Sequence, residues 1–394
     1  MSVHLPSNTS KGKRGLLVGS HQPVCHPHLP DFYKMMILIV LCTLLLTSAA
    51  SATEYVLNIA SMEQFKNGIH YSGEDSLSIT IQDDVTMRSN GNAGIESTAP
   101  VMIKSPSGRT LTIIVDNNSD MLYGVKAPAI SVESGRLEIT VNGKNSPGKG
   151  NAFGMWAGKG DVLVSGGSVR TTVETTGHKN KGIYAADYIR ITNGSVALSQ
   201  QGGKNTFGLD GGDTTAGETD SGVLITGGTV TVDSAGGSER NIGIDSKYGR
   251  VSISGNPFVA ISEDGSGSAQ NYPYNPNITM MTGTGMVIFT AENGLYTLAR
   301  DAILSRNTTL ISGKTFVIPM GRTLGISEGT YLTKPADTTL LYGKGHGTFE
   351  YAKSIPDTSG AASYAGKEPT QHASVPLAGL LAGLGAAVLL RRKE

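Results

Sequence analysis

Between residues 129 and 258 one short pattern of apolar and polar positions returns five times. The segments are Ala129-Ile-Ser-Val-Glu-Ser-Gly-Arg-Leu137, Asp161-Val-Leu-Val-Ser-Gly-Gly-Ser-Val169, Tyr188-Ile-Arg-Ile-Thr-Asn-Gly-Ser-Val196, Gly222-Val-Leu-Ile-Thr-Gly-Gly-Thr-Val230 and Arg250-Val-Ser-Ile-Ser-Gly-Asn-Pro-Phe258. Their starts are 32, 27, 34 and 28 residues apart. Within a unit, β-branched residues alternate with polar ones: Val162 and Val164, then Val169 and Val173 beyond a Gly pair. Ile189, Ile191, Val196 and Leu198 hold these places in the next unit, and Val223, Ile225, Val230 and Val232 in the one after. Period-two alternation broken by Gly pairs reads as short strands joined by corners. Units of this length cannot bury an apolar face alone, so they stack, like residue above like. The pattern therefore predicts a parallel β-helix, with rungs ~4.8 Å apart.

A second element recurs between these strands: Gly154-Met-Trp-Ala, Gly182-Ile-Tyr-Ala, Gly208-Leu-Asp-Gly and Gly243-Ile-Asp-Ser. It predicts a third face for each rung. Alternation places Met155, Ile183, Leu209 and Ile244 inward, and leaves Trp156, Tyr184, Asp210 and Asp245 as an exposed column on the same side as the Gly.

The flanks follow other rules. Gly313, Gly321, Gly329 and Asp337 start similar stretches eight residues apart, which implies either a new rung shape or a second small β domain. Residues 264–277 read as a loop interrupting the repeat. Ser61-Met-Glu-Gln64 has capping-box spacing, Gly68 stands where a C-cap belongs, and Met62, Phe65 and Ile69 share a helical face. Residues 61–67 thus predict a helix plugging the N-terminal end of the core. Residues 36–52 form an apolar run after Lys34 and end in Ala50-Ser51-Ala52, the pattern of a cleaved signal peptide. An apolar run from Val375 to Leu390, followed by Arg391-Arg392-Lys393, predicts a membrane anchor with a cytoplasmic end. It resembles the C-terminal sorting signals of prokaryotic surface proteins, without a Leu-Pro-x-Thr-Gly motif. The expected organisation is an N-terminal extension and signal peptide (1–52), a cap (53–78), the β-helix (79–285), a C-terminal β repeat region (286–351), a Ser/Ala/Pro/Gly-rich linker (352–374) and the anchor (375–394). The expected address is the cell surface.

Composition narrows the class. Glycine supplies 52 of 394 residues and charged residues only 16%, which excludes coiled coils and helical bundles. Lys+Arg and Asp+Glu are both 32, so the clustered cations that nucleic-acid binding needs are not implied. Both cysteines, Cys25 and Cys42, precede the expected cleavage site, so no disulfide would staple the mature chain.

The alternation of Gly-Ile-x-x with Ile-x-Ile-x-Gly-Gly-x-Val over residues 124–262 resembles the pectate-lyase-like right-handed β-helices of secreted surface proteins, most closely a carbohydrate-binding group among them. The resemblance implies a right-handed helix and binding of acidic or cellulosic polysaccharides, in some members with Ca²⁺. In that group an acidic residue often precedes the Gly-Ile. Here Lys181, Phe207 and Ile242 stand before the Gly.

Candidate chemistry is sparse. His70, His178, His346 and His372 show no metal-ligand spacing, and neither a nucleophile elbow nor a phosphate loop is present. Asp187, Asp210, Asp213 and Asp245 suit either a hard-cation or sugar-hydroxyl site or plain solvated turns. Trp156 with Tyr184 suits a sugar-stacking platform or a cover over the repeat's edge. Arg190 and Lys247 neighbour the Asp residues without a catalytic assignment. The expectation is a surface-anchored, non-catalytic module that binds a polysaccharide or surface glycan through Trp156, Tyr184, Asp187, Asp210, Asp213 and Asp245, with Ca²⁺ as a candidate cofactor and no nucleic acid as partner. A polysaccharide lyase or hydrolase and a ligand-free structural surface protein are the alternatives.

Overall fold

The computed structural model describes residues 3–5, 54–60, 68–143, 149–212, 221–264, 270–274, 279–290, 295–357 and 361–366. Every regular element among them is a β-strand. The chain winds as a right-handed-type parallel β-solenoid of about 9 turns. It divides into two compact units: Met1–Ile225 with Val232–Val251 and Glu263–Thr279, and Thr226–Thr231 with Ser252–Ser262 and Met280–Glu394.

In the first unit each coil contributes to three sheets. The first face stacks Ile69–Tyr71, Ala93–Ser97, Met121–Ala127, Asn151–Ala157, Lys179–Ala185, Asn205–Gly211, Arg240–Asp245 and Gln270–Tyr274, with Val3–Leu5 added at one edge. The second runs from Glu54–Ile59 through Ser76–Ile81, Val101–Lys104, Ile130–Val132, Val162–Val164 and Tyr188–Ile191 to Gly222–Ile225. The third runs from Val85–Ser89 through Thr110–Asp116, Arg136–Gly143 and Ser168–Thr175 to Ser195–Gln201.

The registers follow the sequence repeat. Ile130, Val162, Ile189 and Val223 stand above one another on the second face, and Leu111, Leu137, Val169 and Val196 on the third. All eight are at most 2% exposed. Each buried branched side chain contributes ~1.5–3 kcal/mol. The corners use glycine at the second place of the Gly pair. Gly167 and Gly194 have φ of 67° and 79°, and a Cβ on Gly194 would lie 2.5 Å from the carbonyl oxygen of Gly167. Identical turns therefore nest at backbone contact.

On the first face the expected alternation breaks at the glycine. Met155 is fully buried, as predicted, but Gly154 also points inward: a Cβ there would meet Thr171 Cβ at 2.8 Å and the Gly182 carbonyl oxygen at 2.5 Å. Gly124 and Gly208 are crowded in the same way by Ile139 and Val232. Two consecutive residues thus face the core, and only glycine fits the first place. Trp156 still points outward, but from the side opposite Gly154.

Described strands fall within three stretches expected to be cap, loop and linker. Glu54–Ile59, within the stretch expected as a cap, is laddered on Ser76–Ile81 as part of the second face. Gln270–Tyr274, within the expected interrupting loop, extends the first face beside Arg240–Asp245. Two strands fall within the stretch expected as a linker: Lys353–Pro356 and Ala362–Ala365 pair antiparallel, and the second also pairs with Tyr331–Lys334. Tyr364, 7% exposed, anchors that hairpin among Phe349, Tyr351 and the core. The expected helix at 61–67, the cleavage site, the anchor at 375–394 and Asp213 lie outside the described residues.

The second unit explains the eight-residue period. Thr308 registers with Leu332 and Thr315 with Thr339, each 24 residues on, so three eight-residue sides close one small turn. Its core gathers Phe316, Leu324, Leu332 and Tyr364. Two arginines hold its carbonyl ends. Arg300 donates from Nε to Gly285 O at 3.2 Å and from Nη1 to the carbonyls of Ile253 and Thr282, while Arg306 donates to Gly228 O and to Thr229 Oγ1.

Candidate functional site

Repetition makes rows, so any site on the first unit is a row of side chains, one per coil. Two such rows stand out.

The first lies on the outer side of the first face. Lys126, Trp156, Tyr184, Asp210 and Asp245 are consecutive register partners, so the four residues expected as a column do form one. Beside it runs a row of Tyr123, Phe153, Lys181 and Phe207. The aromatic rings interlock: Tyr123 stacks on Phe153 at 5.3 Å, Trp156 on Tyr184 at 6.2 Å, and the two pairs meet edge to face at 5.7 and 5.8 Å. Lysines fill the gaps. Lys181 Nζ lies 4.3 Å from the Tyr184 centroid and 5.6 Å from those of Phe153 and Phe207. Lys126 Nζ lies 5.0 Å from the Tyr123 centroid and 5.9 Å from that of Trp156.

Two lysines of this face are matched on it. Lys181 is ion-paired with Asp210, and both are 5% exposed. Asp210 is therefore not the exposed carboxylate that the alternation predicted, because the lysine before Gly182 folds over the aromatic rings to reach it. Glu96 accepts from Lys126 Nζ at 2.7 Å and lies 3.3 Å from His70 Nδ1. Burial would raise the Glu96 pKa, but the hydrogen bonds and charges of Lys126 and His70 bring it below the usual value. Burial pushes the Tyr123 phenol up.

The remaining sequence candidates disperse. Asp187 sits at the corner between the first and second faces, outside the column. Asp245 continues the row as Asp210's register partner and is half-buried. Arg190 donates from Nε to Asp161 Oδ2 at 2.7 Å and covers the Tyr188 ring at 3.9 Å. Lys247 Nζ lies 4.4 Å from the Tyr248 centroid. Among the described residues, no group of three or more His, Cys, Asp and Glu is placed to hold a metal ion.

The second row was not anticipated. Where the third face turns toward the first, Asp116, Asn142, Glu174 and Gln201 are register partners on four consecutive coils. They line an open groove of about 840 Å³ that continues along Gly202, Gly203, Ala235 and Gly236. Asp116, Glu174 and Gln201 are exposed and Asn142 is half-buried. Its sequence signal is simple: each row member directly follows a fully buried residue near the end of its third-face strand, in Val115-Asp116, Val141-Asn142, Val173-Glu174 and Gln200-Gln201.

Buried amides fix the floor of this groove. Asn180, fully buried, donates from Nδ2 to Thr175 O at 3.0 Å, Gln201 O at 2.6 Å and Gly202 O at 3.2 Å, and accepts from Thr175 Oγ1 at 2.5 Å. Asn241 repeats the device: its Oδ1 accepts from Gly237 N and Thr206 Oγ1, both at 2.8 Å, and its Nδ2 donates to Gly237 O at 3.1 Å. A turn tied by a buried side chain opens little, so the polar row above it is held in place. Gly202 and Gly203, with φ of 80° and 71°, keep the corner free of side chains.

Comparison with protein-family models, with curated proteins and with solved structures found no match.

Proposed function

We propose that this protein is a non-catalytic, carbohydrate-binding or adhesin-like module that binds an extended glycan along the corner of its solenoid. The observation that carries the reading is the row Asp116–Asn142–Glu174–Gln201, polar, in register and lining one groove. Carboxylates and side-chain amides suit the hydroxyl donors and acceptors of sugars. One polar group per coil suits a ligand that is itself a repeating chain, whose many weak contacts add along its length. The Trp156–Tyr184 pair, the sequence's candidate platform, borders this reading as a half-exposed surface whose polar neighbours are already matched. Export with retention at the surface by residues 375–390 belongs to the same proposal, and rests on the apolar run and the basic tail.

A glycan array probed with the full-length protein, with and without Ca²⁺, tests it. Binding of a chain-like glycan without release of fragments is the expected result. Unsaturated sugars absorbing in the ultraviolet would establish a lyase instead. No binding to any glycan would leave a structural surface protein, a role that the internally matched first face favours.

A further inference from the structure

The groove has a definite electrostatic sign, which selects among polysaccharides. Along the row a carboxylate alternates with an amide: Asp116, Asn142, Glu174, Gln201. Among the described residues lining the groove there is no Lys, Arg or His. No hydrogen bond or ion pair among the described residues engages the Asp116 or Glu174 carboxylate, in contrast to Asp161, Asp210 and Glu96, each of which holds a cation. Parallel coils are ~4.8 Å apart, so Asp116 and Glu174 stand ~10 Å apart, two coils along the axis. That separation is a spacing between coils, and among the described residues no group of three or more His, Cys, Asp and Glu is placed to hold a metal ion. The separation is close to the length of two sugar units in an extended β-1,4-linked chain.

We infer that the groove takes a glycan bearing amino groups, a partly or fully deacetylated amino-sugar chain, and discriminates against polyuronates. Ammonium groups on alternate sugars face Asp116 and Glu174, and the amides of Asn142 and Gln201 meet the hydroxyls between them. A polyuronate would bring like charge against both carboxylates, with no basic residue among the described lining to offset it. This inference rests on the glycan reading above and refines its ligand.

The test is calorimetric titration of the full-length protein with chitosan oligomers, the same oligomers N-acetylated, cello-oligosaccharides, polygalacturonate and oligolysine. The deacetylated chain should bind about tenfold tighter than its acetylated form, ~1.4 kcal/mol. That margin should shrink as salt rises, because exposed charge pairs are screened. Asp116→Asn with Glu174→Gln should abolish the margin, retain the weaker binding of neutral chains and leave the melting temperature unchanged. Equal binding of the acetylated and deacetylated chains overturns the inference while the glycan reading stands. Tighter binding of polygalacturonate does the same. Binding of oligolysine at or above the level of chitosan reassigns the groove to a cationic peptide and overturns it. Failure of every sugar chain to bind overturns the glycan reading itself.

Discussion

The first face and the corner groove are products of the same repetition, yet they end in opposite states. On the first face, stacking placed Lys126, Trp156, Tyr184, Asp210 and their neighbours in contact, and the lysines found partners on the same face: Lys126 with Glu96, Lys181 with Asp210 and three rings. At the corner, stacking lined up Asp116, Asn142, Glu174 and Gln201, and the two carboxylates have no ion partner among the described residues. A solenoid aligns residues whether or not they act. Alignment is therefore weak grounds for a site, and an aligned row whose polar groups stay unmatched is stronger grounds.

The comparison can be broken first where it predicts the most stability. If the first face is structural, Lys181→Ala strands a buried Asp210 carboxylate among aromatic rings. Removing one partner of a buried pair costs ~3–5 kcal/mol, whereas replacing both by apolar residues is often near neutral. Urea melts of Lys181→Ala and of Lys181→Met with Asp210→Leu should show a large loss and then a substantial recovery. Equal loss in both variants would mean that the pair is not the cause.

A smaller loss is expected beneath the same rings. Gly154→Ala inserts a methyl 2.8 Å from Thr171 Cβ and 2.5 Å from the Gly182 carbonyl oxygen. Overpacking of this kind costs ~1–3 kcal/mol. A parent-like melting temperature would show that Gly154 faces outward, as simple alternation had it.

The smallest effect is a dependence on pH. The Glu96 pKa is lowered from its ordinary value of 4.5, so the stability it contributes is present above that value and is lost as pH falls through the lowered one. Glu96 is a third exposed, so the contribution is under ~1 kcal/mol after screening. Glu96→Gln should therefore melt slightly below the parent at pH 7, and the difference should vanish in strong acid. A constant gap across that range would trace it to packing instead.

The architecture was legible because the solenoid writes its core into the sequence. The alternation at Val162, Ile189 and Val223 gave both the strands and the spacing between rungs, and all three are fully buried. The glycine bulge was not legible, because the crowding by Ile139, Thr171 and Val232 comes from a face remote in sequence. Asp210 misled for a related reason: its position said outward, and only the neighbouring coil's Lys181 makes outward mean buried. The groove row was readable in principle from the polar residue near the end of each third-face strand, but Asp, Asn, Glu and Gln share no single letter. The equivalence of the four residues became visible only when the coils were stacked.

The central claim is that the unmatched row binds and the matched row supports the fold. It is tested most directly by titrating the tightest-binding oligosaccharide of the array into two variants side by side, each with its melting curve. Asp116→Ala with Glu174→Ala should lose at least tenfold in affinity and melt like the parent, since exposed substitutions shift stability by no more than ~0.5 kcal/mol. Trp156→Ala with Tyr184→Ala should bind like the parent and melt lower. The reverse result, with affinity lost from the aromatic pair at parent stability and kept by the groove variant, would contradict the account and place the site on the first face.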